Sequence, residues 1–125
     1  MQKLMFESSW DKALSSKDRK DIEAIFLETN ENNLENIRLS PIWNAVNHRG
    51  ELLITVLVHN FTQKTLTFNE KRLVYIENDE IVAESSFTLT TLVIPSKVTM
   101  PWTFIFPVEC LKKPAEFEKG HLEIK

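Results

Sequence analysis

Residues capable of chemistry occur along this sequence, but not in the spacings that chemistry requires. The three histidines are His48, His59 and His121, and no pair of them stands at a metal-ligand interval. Cys110 is the one cysteine, so it has neither a partner for an internal disulfide nor a second thiolate for zinc. As a nucleophile it would need a histidine base and a hydrolase-like setting. Instead it follows an apolar segment closed by Pro107, which reads as a half-buried structural thiol. Ser85 and Ser86 lie outside any G-x-S-x-G elbow.

Asp21, Glu23, Glu28, Glu31 and Glu35 follow one another with no Lys or Arg between them. Their order does not match a calcium loop. They form either a solvated helix face or a docking face for a basic partner. His59 shares its parity with Leu53 and Leu57, the mark of a hydrogen-bonded histidine at the edge of a core. The expectation is therefore a protein that is not an enzyme, with no metal and no cofactor.

The aromatics divide in two. Trp102, Phe104 and Phe106 alternate and predict one core-facing stripe. Trp43 follows Pro41 in a predicted loop or edge, either exposed as a contact residue or packed under the N-terminal helix. No basic residues interleave with these rings, so they do not form a stacking platform for single-stranded nucleic acid.

The elements that position these residues come from a chain of 125 residues, the size of one domain. Its 42% hydrophobic and 26% charged content is that of a globular protein. Fifteen Lys and Arg against eighteen Asp and Glu leave a net charge of −3, the wrong balance for a nucleic-acid binder. Two glycines exclude a glycine-built phosphate loop. Met1 to Trp10 lacks the apolar run of a secretory signal, and Leu52 to Val58 is too short to span a bilayer. A cytoplasmic location is expected, with peripheral attachment at the inner face of the membrane left open.

Ser15 is a predicted N-cap for a helix from about Lys17 to Thr29, with Ile22, Ile25 and Phe26 on one face. Trp10, Ala13 and Leu14 predict a helical turn before it, and Phe6 and Trp10 should anchor this arm to the core. From Ile37 onward the period becomes two. Strands are predicted at Ile37 to Pro41, Glu51 to Asn60, around Leu66 and Phe68, at Arg72 to Ile76, Ile81 to Leu89, Leu92 to Ile94 and Trp102 to Phe106. Turns fall at Asn47-His48-Arg49-Gly50 and Asn78-Asp79. Glu51 to Asn60 is apolar on both faces and should be central.

The fold class is thus mainly β: an antiparallel, Ig-like β-sandwich of about seven strands with an N-terminal helical segment packed on it. One domain spans 1–125, divided into an arm and helix over 1–33, a sandwich over 34–109 and a polar tail over 110–125 that ends in a further short strand.

Four segments carry a family resemblance. Trp10-Asp11-Lys12-Ala13-Leu14-Ser15, leading into a helix with Ile22 and Phe26, resembles a W-x-x-x-L-S entry. The strand ending Thr55-Val56-Leu57-Val58-His59-Asn60 is similar to an apolar strand closed by asparagine. Ile81-Val82-Ala83-Glu84 with Phe87-Thr88-Leu89 resembles an alanine-then-phenylalanine strand. Ile94-Pro95 followed by Pro101-Trp102-Thr103-Phe104 resembles an I-P…P-W-x-F signature. Together, from Leu4 to Pro107, they resemble the SLAP domain of the S-layer assembly protein of Bacillus-type accessory Sec systems.

The resemblance implies a non-enzymatic cytosolic protein that assists export of S-layer or related surface proteins by the accessory SecA translocase. It supplies no catalytic residues. Expected partners are an export ATPase or surface-protein precursors. The expected contact surface is Trp43, Asn47, His48 and Arg49 with the acidic stretch around Glu28 and Glu31. A small-ligand or cell-wall carbohydrate-binding sandwich, and a domain that self-associates through its sheet edges, are the alternatives.

Overall fold

A computed structural model describes residues 2–30 and 35–125. Glu31, one of the expected contact residues, lies outside the described residues.

The arm contains two helices, α1 (Ser8–Ala13) and α2 (Ser16–Thr29). Glu7 caps the first by accepting from the Ser9 N–H, and Ser15 Oγ caps the second by accepting from the Asp18 N–H at 3.0 Å. Such caps satisfy amide groups that have no partner within the first turn. Ile22 of α2 is fully buried, while Ile25 and Phe26 are half-buried. Arg19 ties the two helices together: it pairs with the Asp11 carboxylate at 3.0 Å and lies 4.7 Å above the Phe6 ring.

Among the described residues there are seven strands: β1 (Lys3–Leu4), β2 (Ile37–Val46), β3 (Leu52–Asn60), β4 (Leu66–Glu77), β5 (Glu80–Ile94), β6 (Val98–Phe106) and β7 (Gly120–Ile124). They form one sheet in the order β1-β6-β3-β2 and a second in the order β5-β4-β7. The β2–β3 and β4–β5 hairpins stay within their sheets, and the other connections from β3 onward cross between them. The second hairpin turns at Asn78 and Asp79, both with positive φ, which matches the right-handed twist of its strands.

The core lies between the sheets. Leu52, Ile54, Val56 and Val58 of β3 face Leu73 and Tyr75 of β4 and Phe87, Leu92 and Ile94 of β5. Phe87 meets Phe104 and Phe106 edge-on, with centroids 5.3 and 5.2 Å apart. On its other face β3 also buries Thr55, Leu57 and His59, as a central strand covered on both sides should.

The sandwich is as expected, but its strands divide differently. The strand expected to stop at Pro41 runs on to Val46, with a bulge between Pro41 and Trp43. The two strands expected between Leu66 and Ile76 are one, irregular around Glu70, which has φ of 50°. β5 is continuous through Leu89 to Ile94, and Pro101 lies inside β6. β1 was not expected, and it pairs in parallel with β6, so the sandwich is not wholly antiparallel.

Both prolines are tolerated for one reason. The Phe61 N–H donates to the Asn36 carbonyl, so backbone alternation turns Arg38 and Ser40 toward β3 and the Pro41 nitrogen away from it. The Met5 N–H donates to the Thr99 carbonyl, and the same alternation turns Pro101 away from β3. A residue that faces the outside of an edge owes no amide to the ladder.

Candidate interaction surface

The β2–β3 hairpin ends in the expected turn. Asn47 Oδ1 accepts from the Arg49 and Glu51 amides, each at 3.0 Å, and its Nδ2 donates to Glu51 Oε1 at 2.9 Å. Gly50 supplies the left-handed position at φ +82°. Asn47 is therefore committed to shaping the turn, while His48 and Arg49 project into solvent.

Trp43 lies in β2, at the sheet edge rather than in a loop, and is 37% exposed. It pairs with Thr55, whose hydroxyl meets that of Thr103 at 2.7 Å. The neighbouring row on the same face is Ala45, Leu53 and Ile105, the last 46% exposed. Trp43, Leu53 and Ile105 thus form an apolar strip on the outer face of the first sheet. Glu28 is exposed near the end of α2, which leads toward the start of β2. The Asn47–Gly50 turn is at the other end of that strand, roughly 30 Å along, and no described contact joins Glu28 to it.

His59 is a core residue, fully buried. Its Nε2 meets Ser40 Oγ at 3.0 Å and its Nδ1 meets Thr99 Oγ1 at 2.8 Å. Burial, with a smaller contribution from the Arg38 charge, pushes it down to about 4. The neutral ring is what the core holds. Asn60 is equally buried and acts as a clasp. Its Nδ2 donates to the carbonyls of Lys64, Ile94 and Pro95, and its Oδ1 accepts from the Thr62 amide and hydroxyl.

The tail is bound to the second sheet by Glu77, 2% exposed. Its carboxylate accepts from the Tyr75 hydroxyl and from the Glu116 and Phe117 amides at 2.8–3.0 Å. Burial and this carboxylate both raise the Tyr75 hydroxyl above its ordinary value. Among the described residues no group of three His, Cys, Asp or Glu side chains could hold a metal. Cys110 is half-buried in a single 3-10 turn, and no helix among the described residues is long and apolar enough to cross a membrane.

One feature was not legible in the sequence. β7 ends opposite Leu73, so the β4 segment before it has no strand on that side among the described residues. There a groove of about 480 Å³ opens between the sheets, lined by Ile37, Arg38 and Leu39 of β2, Leu66 and Lys71 of β4, and Leu122, Glu123 and Ile124 of β7. The aliphatic alternation at Ile37 and Leu39 was the available signal, but the groove depends on two edges brought together from distant parts of the chain. A smaller hollow of about 220 Å³ lies on the opposite side, beside Phe87, Leu89 and Trp102.

The fold and surface define a two-sheet β-sandwich whose helical arm and clasped loops serve its own stability, with its accessible features along sheet edges. The chain belongs to the SLAP domain family, whose model matches residues 4–124. No curated protein and no solved structure matches it.

Proposed function

We propose that this domain is a non-enzymatic protein-interaction module that assists export of S-layer or related surface proteins by the accessory Sec system, on the cytoplasmic side. Membership of the SLAP family carries this reading. The accessible edges of β2 and β7 suit it, because an unpaired edge can accept an extended polypeptide through main-chain hydrogen bonds. Trp43, His48 and Arg49 are the proposed contact residues, with Glu28 on the helical side as a separate point of contact, and Asn47 holds its turn in shape.

The test is affinity capture of the tagged chain from its native lysate, followed by reconstitution with the purified partner. Recovery of an export ATPase or of surface-protein precursors that rebind in purified form supports the reading. Recovery of the bait alone overturns it.

A further inference from the structure

Of the features that the family reading leaves unused, the gap between the β5 and β6 edges stands out because almost no charge borders it. Residues 85–108, which supply most of β5 and all of β6, contain one charged side chain, Lys97, in a chain that is 26% charged. Its Nζ is committed to the Phe61 carbonyl at 2.6 Å. The hollow of about 220 Å³ in this gap is lined by Phe87 and Leu89 of β5 and by Trp102, Thr103, Phe104 and Ile105 of β6, none of them charged. Soluble proteins protect the edges of their sheets with charges, above all lysine. Here two neighbouring edges go without.

Backbone groups of β6 face the gap. The Met5 N–H donates to the Thr99 carbonyl, so Thr99 faces away from β3, and the unbroken β3–β6 register turns Pro101, Thr103 and Ile105 the same way. β1 pairs only with Val98 and Thr99, because the chain leaves this edge after Met5 to enter α1. Among the described residues no strand pairs with Thr103 or Ile105 on that side. The opening is therefore set by the course of the chain from β1 into α1, and Pro101 and Pro107 limit it to a short stretch. A helix, about 10 Å across, is too wide for a hollow of this size, whereas the alternate side chains of a strand can enter it.

We infer that this gap binds an extended, uncharged polypeptide segment with aliphatic side chains at alternate positions, paired with the outer edge of β6. The backbone of the segment exchanges hydrogen bonds with Thr103 and Ile105, and its inward side chains fill the hollow beside Phe87, Leu89 and Trp102. A charged side chain placed there loses its water and finds no counter-charge among the lining residues. This rests on the protein-interaction reading and gives it a partner chemistry and a place.

The test titrates the isotope-labelled full chain with a short capped peptide of alternating threonine and valine, read by amide chemical shifts and hydrogen exchange. The expected result is saturable shifts at Thr103, Ile105 and the Trp102 indole, with none at Leu39 or Leu122, and slower exchange of the Thr103 and Ile105 amides in the complex. A peptide with glutamate in place of each valine should bind at least about tenfold more weakly. Ile105→Pro removes an amide that the β3–β6 ladder does not use, so the variant should fold, as the edge tolerates Pro101, and lose a similar factor. If it does not fold, amide exchange in the parent decides. Equal binding of both peptides, shifts confined to β2 and β7, unaltered exchange at Thr103 and Ile105, or the same shifts on concentrating the protein alone would each overturn the inference. The two readings fail separately: partner capture that persists without peptide binding removes the gap only, and peptide binding without partner capture removes the export role only.

Discussion

The indole rings of Trp10 and Trp102 lie 6.4 Å apart at an interplanar angle of 31°. This contact joins the first helix to β6, across most of the length of the chain. Both residues belong to the segments that resemble the SLAP family, so that part of the likeness records one packing contact within the domain. Trp10→Ala should lower stability by about 2 kcal/mol, less than for a fully buried ring because Trp10 is half-exposed. Denaturant unfolding checks this, and unchanged stability would mean that the arm does not hold the sandwich through this pair.

His59 makes stability depend on pH. Its pKa in the folded state is about 4, below the ordinary 6.5, so the unfolded chain takes up the proton first as pH falls. The contribution is intact above pH 6.5 and is lost progressively between 6.5 and 4, amounting to roughly 3 kcal/mol. His59→Gln should flatten this part of the stability profile. A profile as steep as that of the parent would assign the effect to other groups.

Gly120 pairs with Glu77 and sits against Tyr75. A Cβ built there falls 2.1 Å from the Tyr75 hydroxyl oxygen and 2.6 Å from the ring carbon that bears it. Gly120→Ala should therefore displace β7 from β4 and cost about 1–3 kcal/mol. Hydrogen exchange at His121 and Glu123, whose amides face β4, reports the displacement directly. Protection equal to that of the parent would contradict it.

Asn60→Ala removes a side chain that satisfies the Ile94 and Pro95 carbonyls and the Thr62 amide at once. Leaving such groups without partners costs roughly 1–3 kcal/mol each where water cannot reach them. Thermal unfolding should show a large drop, with the loop after β3 becoming the first site of limited proteolysis. A midpoint within a degree or two of the parent would show that water replaces the side chain.

Trp43→Ala combined with Glu28→Lys and Glu31→Lys should weaken partner binding while leaving the fold intact, since Trp43 and Glu28 are exposed. Surface substitutions of this kind change stability by only about 0.5 kcal/mol. Unchanged binding by the folded variant would move the contact surface elsewhere.

Local signals in the sequence fix the elements whose outcome local physics decides. The Ser15 cap, the Asn47–Gly50 turn, the Asn78-Asp79 hairpin and the central apolar strand ending at Asn60 all fall where spacing and turn chemistry place them. The structure departs from the sequence pattern where tertiary context overrides a local rule. Pro41 and Pro101 break a strand only when the missing amide is needed, and at an edge it is not. Lys3–Leu4 is too short to have any period and becomes a strand only because β6 offers a partner. The candidate surface is only partly legible in the sequence: His48 and Arg49 fall in a polar turn, Trp43 reads equally as exposed or as packed under the helix, and the aliphatic groove needs two edges from distant parts of the chain.

The parallel pairing of β1 with β6 links residues near opposite ends of the chain, and β4 likewise awaits β7. Neither sheet is complete until these later strands have joined it. Such long-range closure slows folding and leaves unpaired edges exposed in the meantime. During synthesis the half-made domain presents more strand edge than the finished one, so its yield should depend on chaperones more than its size suggests.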